Sequence, residues 1–163
     1  MKFIFNLYRA TSKSKVVPKQ KKLILNSNDR MHPQQKAEFV RKLRELSHDL
    51  VLKQVGGPTK IVKKTTTRKG MSKTQYLTQL VTPSYDKNKR CEATLTVFTP
   101  TQRESDADNL QPTMKALMDG LTDANLWPDD NNKIVKFTKY QHGGISGYKG
   151  YRLEVDIDEA KEL

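Results

Sequence analysis

Apolar residues recur along the chain with two periods, and the switches between them outline the fold. Phe3, Phe5 and Leu7 alternate with other residues over positions 1–9, as one face of a strand does. Leu23-Ile24-Leu25 is a second short apolar run. It stops at Asn26-Ser27-Asn28-Asp29, whose side chains hydrogen-bond local backbone and favour a turn. From Pro33 the period lengthens: Phe39, Leu43, Leu46 and Leu50, with Val40 and Val51 beside them, give one stripe at helical spacing. Pro33 suits a first turn, where its missing N–H costs nothing, and Gly56-Gly57-Pro58 ends the helix. Alternation returns over 76–81 and 91–98 with a turn-rich stretch at 83–88 between, which predicts an antiparallel hairpin. Leu110, Met114, Leu117 and Leu121 predict a second helix over roughly 110–125, followed by strands at about 134–140 and 151–157. The order β, β, α, β, β, α, β, β predicts a single α+β domain over 1–163, a small mixed or antiparallel sheet with two main helices packed on it.

Two segments lie outside this frame. Residues 10–22 are polar and basic (Lys13, Lys15, Lys19, Lys21, Lys22) and read as an N-terminal arm. Residues 56–75 carry Lys60, Lys63, Lys64, Arg68, Lys69 and Lys73, and no acid occurs between Asp49 and Asp86. With the run Thr65-Thr66-Thr67 and few apolar residues this stretch buries little, so it reads as an exposed loop or hairpin.

Charge sharpens the picture. The 163 residues hold 30 Lys and Arg against 18 Asp and Glu, a net +12. Residues 1–90 hold 22 basic and 5 acidic residues (+17), and residues 91–163 hold 8 and 13 (−5). A basic half of this strength points to a polyanion, because each Lys or Arg that meets a phosphate releases condensed counterions. Lys60, Lys63, Lys64, Arg68, Lys69 and Lys73 are accordingly the candidate DNA contacts, with Arg30 beside His32 as a further one. Carboxylates near such a track repel the ligand unless a divalent cation neutralises them, which is the combination a metal-dependent nuclease needs. Cys91, the single cysteine, excludes an internal disulfide framework and a Cys-rich zinc site, and fits a reducing compartment. No run approaches the roughly 18 apolar residues of a membrane helix, and Asn6 and Arg9 interrupt the first apolar run too soon for a signal-peptide core. A cytoplasmic protein without membrane contact is the expectation.

The chemistry concentrates between Ser105 and Asp130. Asp106 and Asp108 are two apart, so on an extended chain both carboxylates face one side and can chelate one cation. The competing role is helix capping, since Asp108 or Asn109 stands where an N-cap is wanted. Lys115 lies seven residues after Asp108, two helical turns on, and shares its face. Asp129 and Asp130 follow the helix and can fold back towards Asp106 and Asp108.

Asp106-Ala107-Asp108-Asn109-Leu110-Gln111, then Lys115-Ala116-Leu117-Met118-Asp119-Gly120-Leu121, then Trp127-Pro128-Asp129-Asp130 resembles the RusA family of Holliday-junction resolvases. The resemblance is strongest over about 90–158 and extends weakly to residue 23 through Asn26-Ser27-Asn28-Asp29-Arg30-Met31-His32. It implies a small homodimeric, Mg²⁺-dependent endonuclease, with Mn²⁺ as a substitute, that acts in DNA recombination and repair. Bacteriophages and prophages often carry such enzymes, which places it in a bacterial cell or a phage-infected host. By this resemblance Asp106, Asp108 and Asp130 are the catalytic, magnesium-binding aspartates and Lys115 the catalytic lysine. Asp119 matches a recurrent acidic residue. The lysine comes four residues after the second aspartate in shorter members, and Pro112-Thr113-Met114 are extra here; spacings of four and seven both keep one helical face. Paired symmetric nicks on a four-way junction suit a C₂ dimer, and leave 5′-phosphate and 3′-hydroxyl ends.

The other candidates read as structural. Arg30 and His32 have a turn-stabilising alternative at the helix start, His48 reads as a surface residue, and His142 lies in a glycine-rich turn. Trp127 reads as a core anchor and Cys91 as a small apolar residue of a strand. Two other functions compete with the resolvase: a non-enzymatic basic nucleic-acid-binding protein whose aspartates are caps and turn residues, and a nuclease for other branched DNA.

Overall fold

The computed structural model describes residues 1–102 and 106–161. The first alternation becomes β1 (Lys2–Arg9), with Phe3, Phe5 and Leu7 buried and Lys2, Ile4 and Asn6 exposed. β2 (Lys22–Ile24), α1 (Pro33–Val55), β3 (Thr59–Arg68), β4 (Met71–Leu80), β5 (Cys91–Thr99), α2 (Gln111–Asp123), β6 (Val135–Ile145) and β7 (Tyr151–Glu159) follow. Short 3-10 turns at Lys19–Lys21 and Ala107–Leu110 lead into β2 and α2. The class is α+β: a five-stranded mixed sheet in the order β2-β1-β7-β5-β6, and a separate two-stranded ribbon of β3 and β4.

β7 runs antiparallel to both β1 and β5, whereas β1–β2 and β5–β6 are parallel pairs. Parallel neighbours require a crossover, and α2 supplies it between β5 and β6. Register aligns Phe3 with Val155 and Val155 with Leu95, so apolar side chains form a row across three strands. The opposite face is wet: Lys2 Nζ lies 2.9 Å from Glu154, and Arg152 pairs with Glu154 and covers the Phe98 ring. Such one-sided burial is what alternating strands give when helices cover one face.

On α2, Met114, Leu117 and Leu121 are buried as the spacing predicts. α1 follows its predicted stripe in part: Leu43 and Val51 are buried, and Phe39, Val40 and Leu50 pack half-buried against the core. Its buried line is Leu43, Ser47 and Val51, and Leu46 stays 36% exposed. The contact on α2 selects that i, i+4, i+8 row. A Cβ on Gly120 would sit 2.7 Å from the Ser47 Cβ and closer still to the Arg44 carbonyl oxygen, so only glycine lets the helices approach here. Ser47 donates to the Leu117 carbonyl at 2.7 Å, which satisfies a polar group inside the contact.

The strand pairing also departs from prediction. Residues 76–81 do not form a hairpin with 91–98. β4 pairs throughout with β3, from Thr59 opposite Leu80 to Arg68 opposite Met71. Lys69 and Gly70 both have positive φ (53° and 76°), the two-residue turn whose twist matches a β-hairpin. The 56–75 segment is thus the hairpin of its two predicted forms. β5 instead inserts between β7 and β6. The ribbon's base is fastened: Leu80 N–H donates to Ala124 O (2.9 Å), Val81 N–H to Pro58 O (3.0 Å) and Asn125 Nδ2 to Leu80 O (2.9 Å). Among the described residues no helix is long and apolar enough to cross a membrane.

Candidate functional site

The β5–α2–β6 crossover carries the acidic candidates. Asp106 is extended (φ −60°, ψ 121°), but the chain turns at once, with Asn109 N–H donating to Asp106 O at 3.0 Å. The strand-like alternation expected for Asp106 and Asp108 therefore does not hold, because Asp108 already lies in the 3-10 turn. Ser105 lies outside the described residues. Neither carboxylate caps a helix: Asp106 makes no side-chain cap bond, and α2 starts after Leu110 without one, using Pro112 in its first turn. Both are exposed, and among the described residues neither is ion-paired. Other aspartates are spent on structure. Asp29 takes Arg9 and the Asn26 N–H, Asp86 accepts from Asn88 and Lys89 N–H, and Asp123 takes Arg44.

The turn is held from behind by the segment after β2. Ser27 donates to Asn109 O from both its N–H (2.7 Å) and Oγ (3.1 Å). One turn further on, Thr113 Oγ1 accepts the Leu25 N–H (2.8 Å) and donates to Leu25 O (2.7 Å). These bonds fix where α2 begins.

Lys115 stands on the exposed face of α2, with Nζ 3.2 Å from Asp119 Oδ1 and 3.3 Å from Asp130 Oδ2. Asp130 reaches it because the chain after α2 folds back. Leu126 and Trp127 are buried, and Trp127 Nε1–H donates to Thr122 Oγ1 at 2.8 Å. Asp129 then shapes the turn, accepting from Asp130 N–H and from Asn131 Nδ2. Partial burial pulls the Lys115 pKa down, but hydrogen bonds and charge from Asp119 and Asp130 outweigh it, so the ammonium titrates above its ordinary value.

Tyr140, absent from the predicted site, is half-buried on β6 opposite Leu95. Burial raises its hydroxyl pKa, and the charge of Asp108 raises it further. Its only sequence signal was a place in a strand alternation.

The structure thus joins Lys115, Asp119 and Asp130, and among the described residues Asp106 and Asp108 stay unpaired just before the same helix. Among the described residues no three His, Cys, Asp or Glu side chains form a group that could hold a metal ion. The donor chemistry nonetheless suits Mg²⁺: carboxylate oxygens only, exposed at Asp106 and Asp108 and half-buried at Asp130. That ion keeps several waters and takes one or two carboxylates together with phosphate oxygens.

The ribbon presents the predicted basic residues. Lys60, Lys64 and Arg68 share one face with Lys73, Lys63 lies on the other, and Lys69 is in the turn. Lys64 also lies 3.7 Å from Asp123. Arg30 is exposed beside the α1 start, whereas His32 Nδ1 accepts the Gln34 N–H, the structural role. His48 is more than a surface residue: half-buried, it bonds Thr78 O (2.6 Å) and ties α1 to the ribbon. His142 Nε2 lies 3.3 Å from Thr99 Oγ1. Cys91 is buried in β5, and burial pushes its thiol up to about 12. No protein-family model matches this sequence, and no curated protein is significantly similar to it.

Proposed function

We propose that the chain is a Mg²⁺-dependent, structure-selective DNA endonuclease of the RusA type that resolves four-way junctions by paired symmetric nicks. It acts as a homodimer in the cytoplasm of a bacterial or phage-infected cell. One observation carries this reading: Lys115 sits between Asp119 and Asp130 on the helix that Asp106 and Asp108 introduce, and those two carboxylates serve no cap, turn or ion pair among the described residues. A purely structural role for the aspartates predicts the opposite. Asp106 and Asp108, with Asp130, would hold Mg²⁺ (or Mn²⁺), which supplies charge neutralisation at the phosphate and a water of lowered pKa.

The chain's own groups do the rest. Lys115, held protonated by its two carboxylates, offers positive charge to a phosphate or leaving oxygen. Asp119 fixes its direction from one turn away. A two-stranded ribbon fits the major groove, and Lys60, Lys63, Lys64, Arg68, Lys69 and Lys73 would meet the backbone on either side of it, with Arg30 as a further contact.

The test is a nicking assay on a labelled, fixed four-way junction, with linear duplex and forked DNA alongside, in Mg²⁺ and in chelator. Paired symmetric nicks lost in Asp108→Asn or in chelator, with binding retained, uphold the proposal. Faster cutting of forks makes it a nuclease for other branched DNA. Tight binding without cutting in either Mg²⁺ or Mn²⁺ sinks it and leaves a non-enzymatic nucleic-acid-binding protein.

A further inference from the structure

α1 separates two groups of cations that differ in what neutralises them. Towards the ribbon, Arg41 pairs with Glu38 and Glu45, and Arg44 and Lys64 meet Asp123. On its other side a cleft of about 650 Å³ opens between residues 10–22 and α1. Lys13, Lys15, Lys19, Lys22 and Lys42 line it around Phe39, and among the described residues no carboxylate does. The rim is a folded one: Lys22 Nζ donates to Ser14 O at 2.7 Å, Lys21 N–H to Pro18 O at 3.0 Å and Ser12 N–H to Arg9 O at 3.0 Å. Five ammonium groups around one cleft repel one another, and an anion in the cleft relieves that repulsion.

We propose that this cleft binds phosphate and that, on the endonuclease reading above, its occupant is the DNA backbone close to the cut. β2 connects the two places. Lys22 lines the cleft, and Ser27, five residues on, bonds Asn109 beside the carboxylates. Five residues span at most about 17 Å, which is about five nucleotide rises of 3.4 Å along one strand. The Lys22 edge of the cleft therefore lies within about half a helical turn's length of the Ser27–Asn109 contact beside the carboxylates. Lysines suit this use, because they meet a phosphate as point charges and carry no base readout.

The test uses K13Q/K15Q/K19Q, three exposed arm lysines whose ammonium groups make no internal hydrogen bond among the described residues, in the full chain. Its circular dichroism should equal that of the wild type, and its melting temperature should be no lower, since removing three like charges relieves their repulsion. Junction binding is measured by fluorescence anisotropy across a salt series, and inorganic pyrophosphate is titrated calorimetrically into both proteins. The variant should lose about tenfold or more in affinity at low salt, with a log–log salt slope shallower by about two to three. Equal affinity and slope in a wild type that binds DNA overturn the proposal. A wild type that binds but never cuts, with the slope change intact, upholds the cleft while the endonuclease reading falls. If the wild type binds no DNA, pyrophosphate decides: saturable binding lost in the variant keeps a site for free phosphate compounds, and no binding ends it.

Discussion

The five-stranded sheet and the β3–β4 ribbon are both built from alternating strands, yet they are stabilised in different ways. In β5 every second residue, from Cys91 through Ala93, Leu95 and Val97, is buried against helices. In β3 the same alternation covers nothing: Ile61 is 74% exposed, and across the turn Met71 is 77% exposed. A lone two-stranded hairpin is marginal in water. This one is held at its base, by Asp123, Ala124 and His48, and projects beyond it. Rigid burial and a free basic surface have been assigned to different sheets of one chain.

Several changes should break or sharpen that contrast, the most damaging first. Leu95→Ala removes a fully buried side chain from the middle of the sheet and should cost about 3–4 kcal/mol in denaturant unfolding. Met71→Ala at the ribbon turn should stay within about 0.5 kcal/mol; a comparable loss there would mean that the ribbon is part of the cooperative core. Gly120→Ala forces the α1–α2 contact apart and should cost about 2–3 kcal/mol despite its better helix propensity. Arg44→Ala leaves Asp123 short of its bidentate partner. Because the arginine is 42% exposed, solvent reduces the effect to about 1–2 kcal/mol. Hydrogen exchange should then quicken in β3 and β4 before the five-stranded sheet.

Charge removal on the ribbon should leave stability alone. K63Q/K69Q should melt with the wild type while its junction affinity falls and its salt slope shrinks by about two. The smallest effect concerns Cys91. A thiol raised to about 12 by burial stays protonated and unreactive at pH 8. A cysteine placed at Thr65 on the ribbon, in a Cys91→Ala background, should label within the mixing time of an Ellman assay. The sign of the linkage follows: the unfolded thiol loses its proton near 9 and the folded one near 12, so Cys91 draws stability down as pH rises through that window.

Much of this was legible in the residues. Both helices, β1, β2 and the class come from periodicity, because one-sided burial writes itself into spacing. Trp127 and Cys91 were readable as core for the same reason. Pairing was not. Residues 59–68 left loop and hairpin open, since β3 takes its order from the Lys69-Gly70 turn and its ladder rather than from burial. The Ser47–Gly120 contact of α1 with α2 was missed because residues that permit close approach are invisible to a hydrophobicity stripe. At the site, spacing predicted that Asp130 folds back towards Asp106 and Asp108, and the chain does fold back, but it brings Asp130 to Lys115. Spacing did not foresee that Asp108 would sit in a 3-10 turn or that its charge would act on Tyr140, because both depend on register across β5 and β6.

The sheet order has a consequence for folding. β7, the last of these strands in chain order, is the middle one of β2-β1-β7-β5-β6. Until it arrives, β1–β2 and β5–β6 are two parallel pairs with no shared edge, each exposing an apolar face and an unpaired strand. The contacts that join them, such as Phe3 to Val155, are among the most distant in the chain. Closing the complete sheet therefore waits for pairings between residues far apart in sequence and is slow relative to helix formation. A chain in which β7 has not yet docked invites edge-to-edge association.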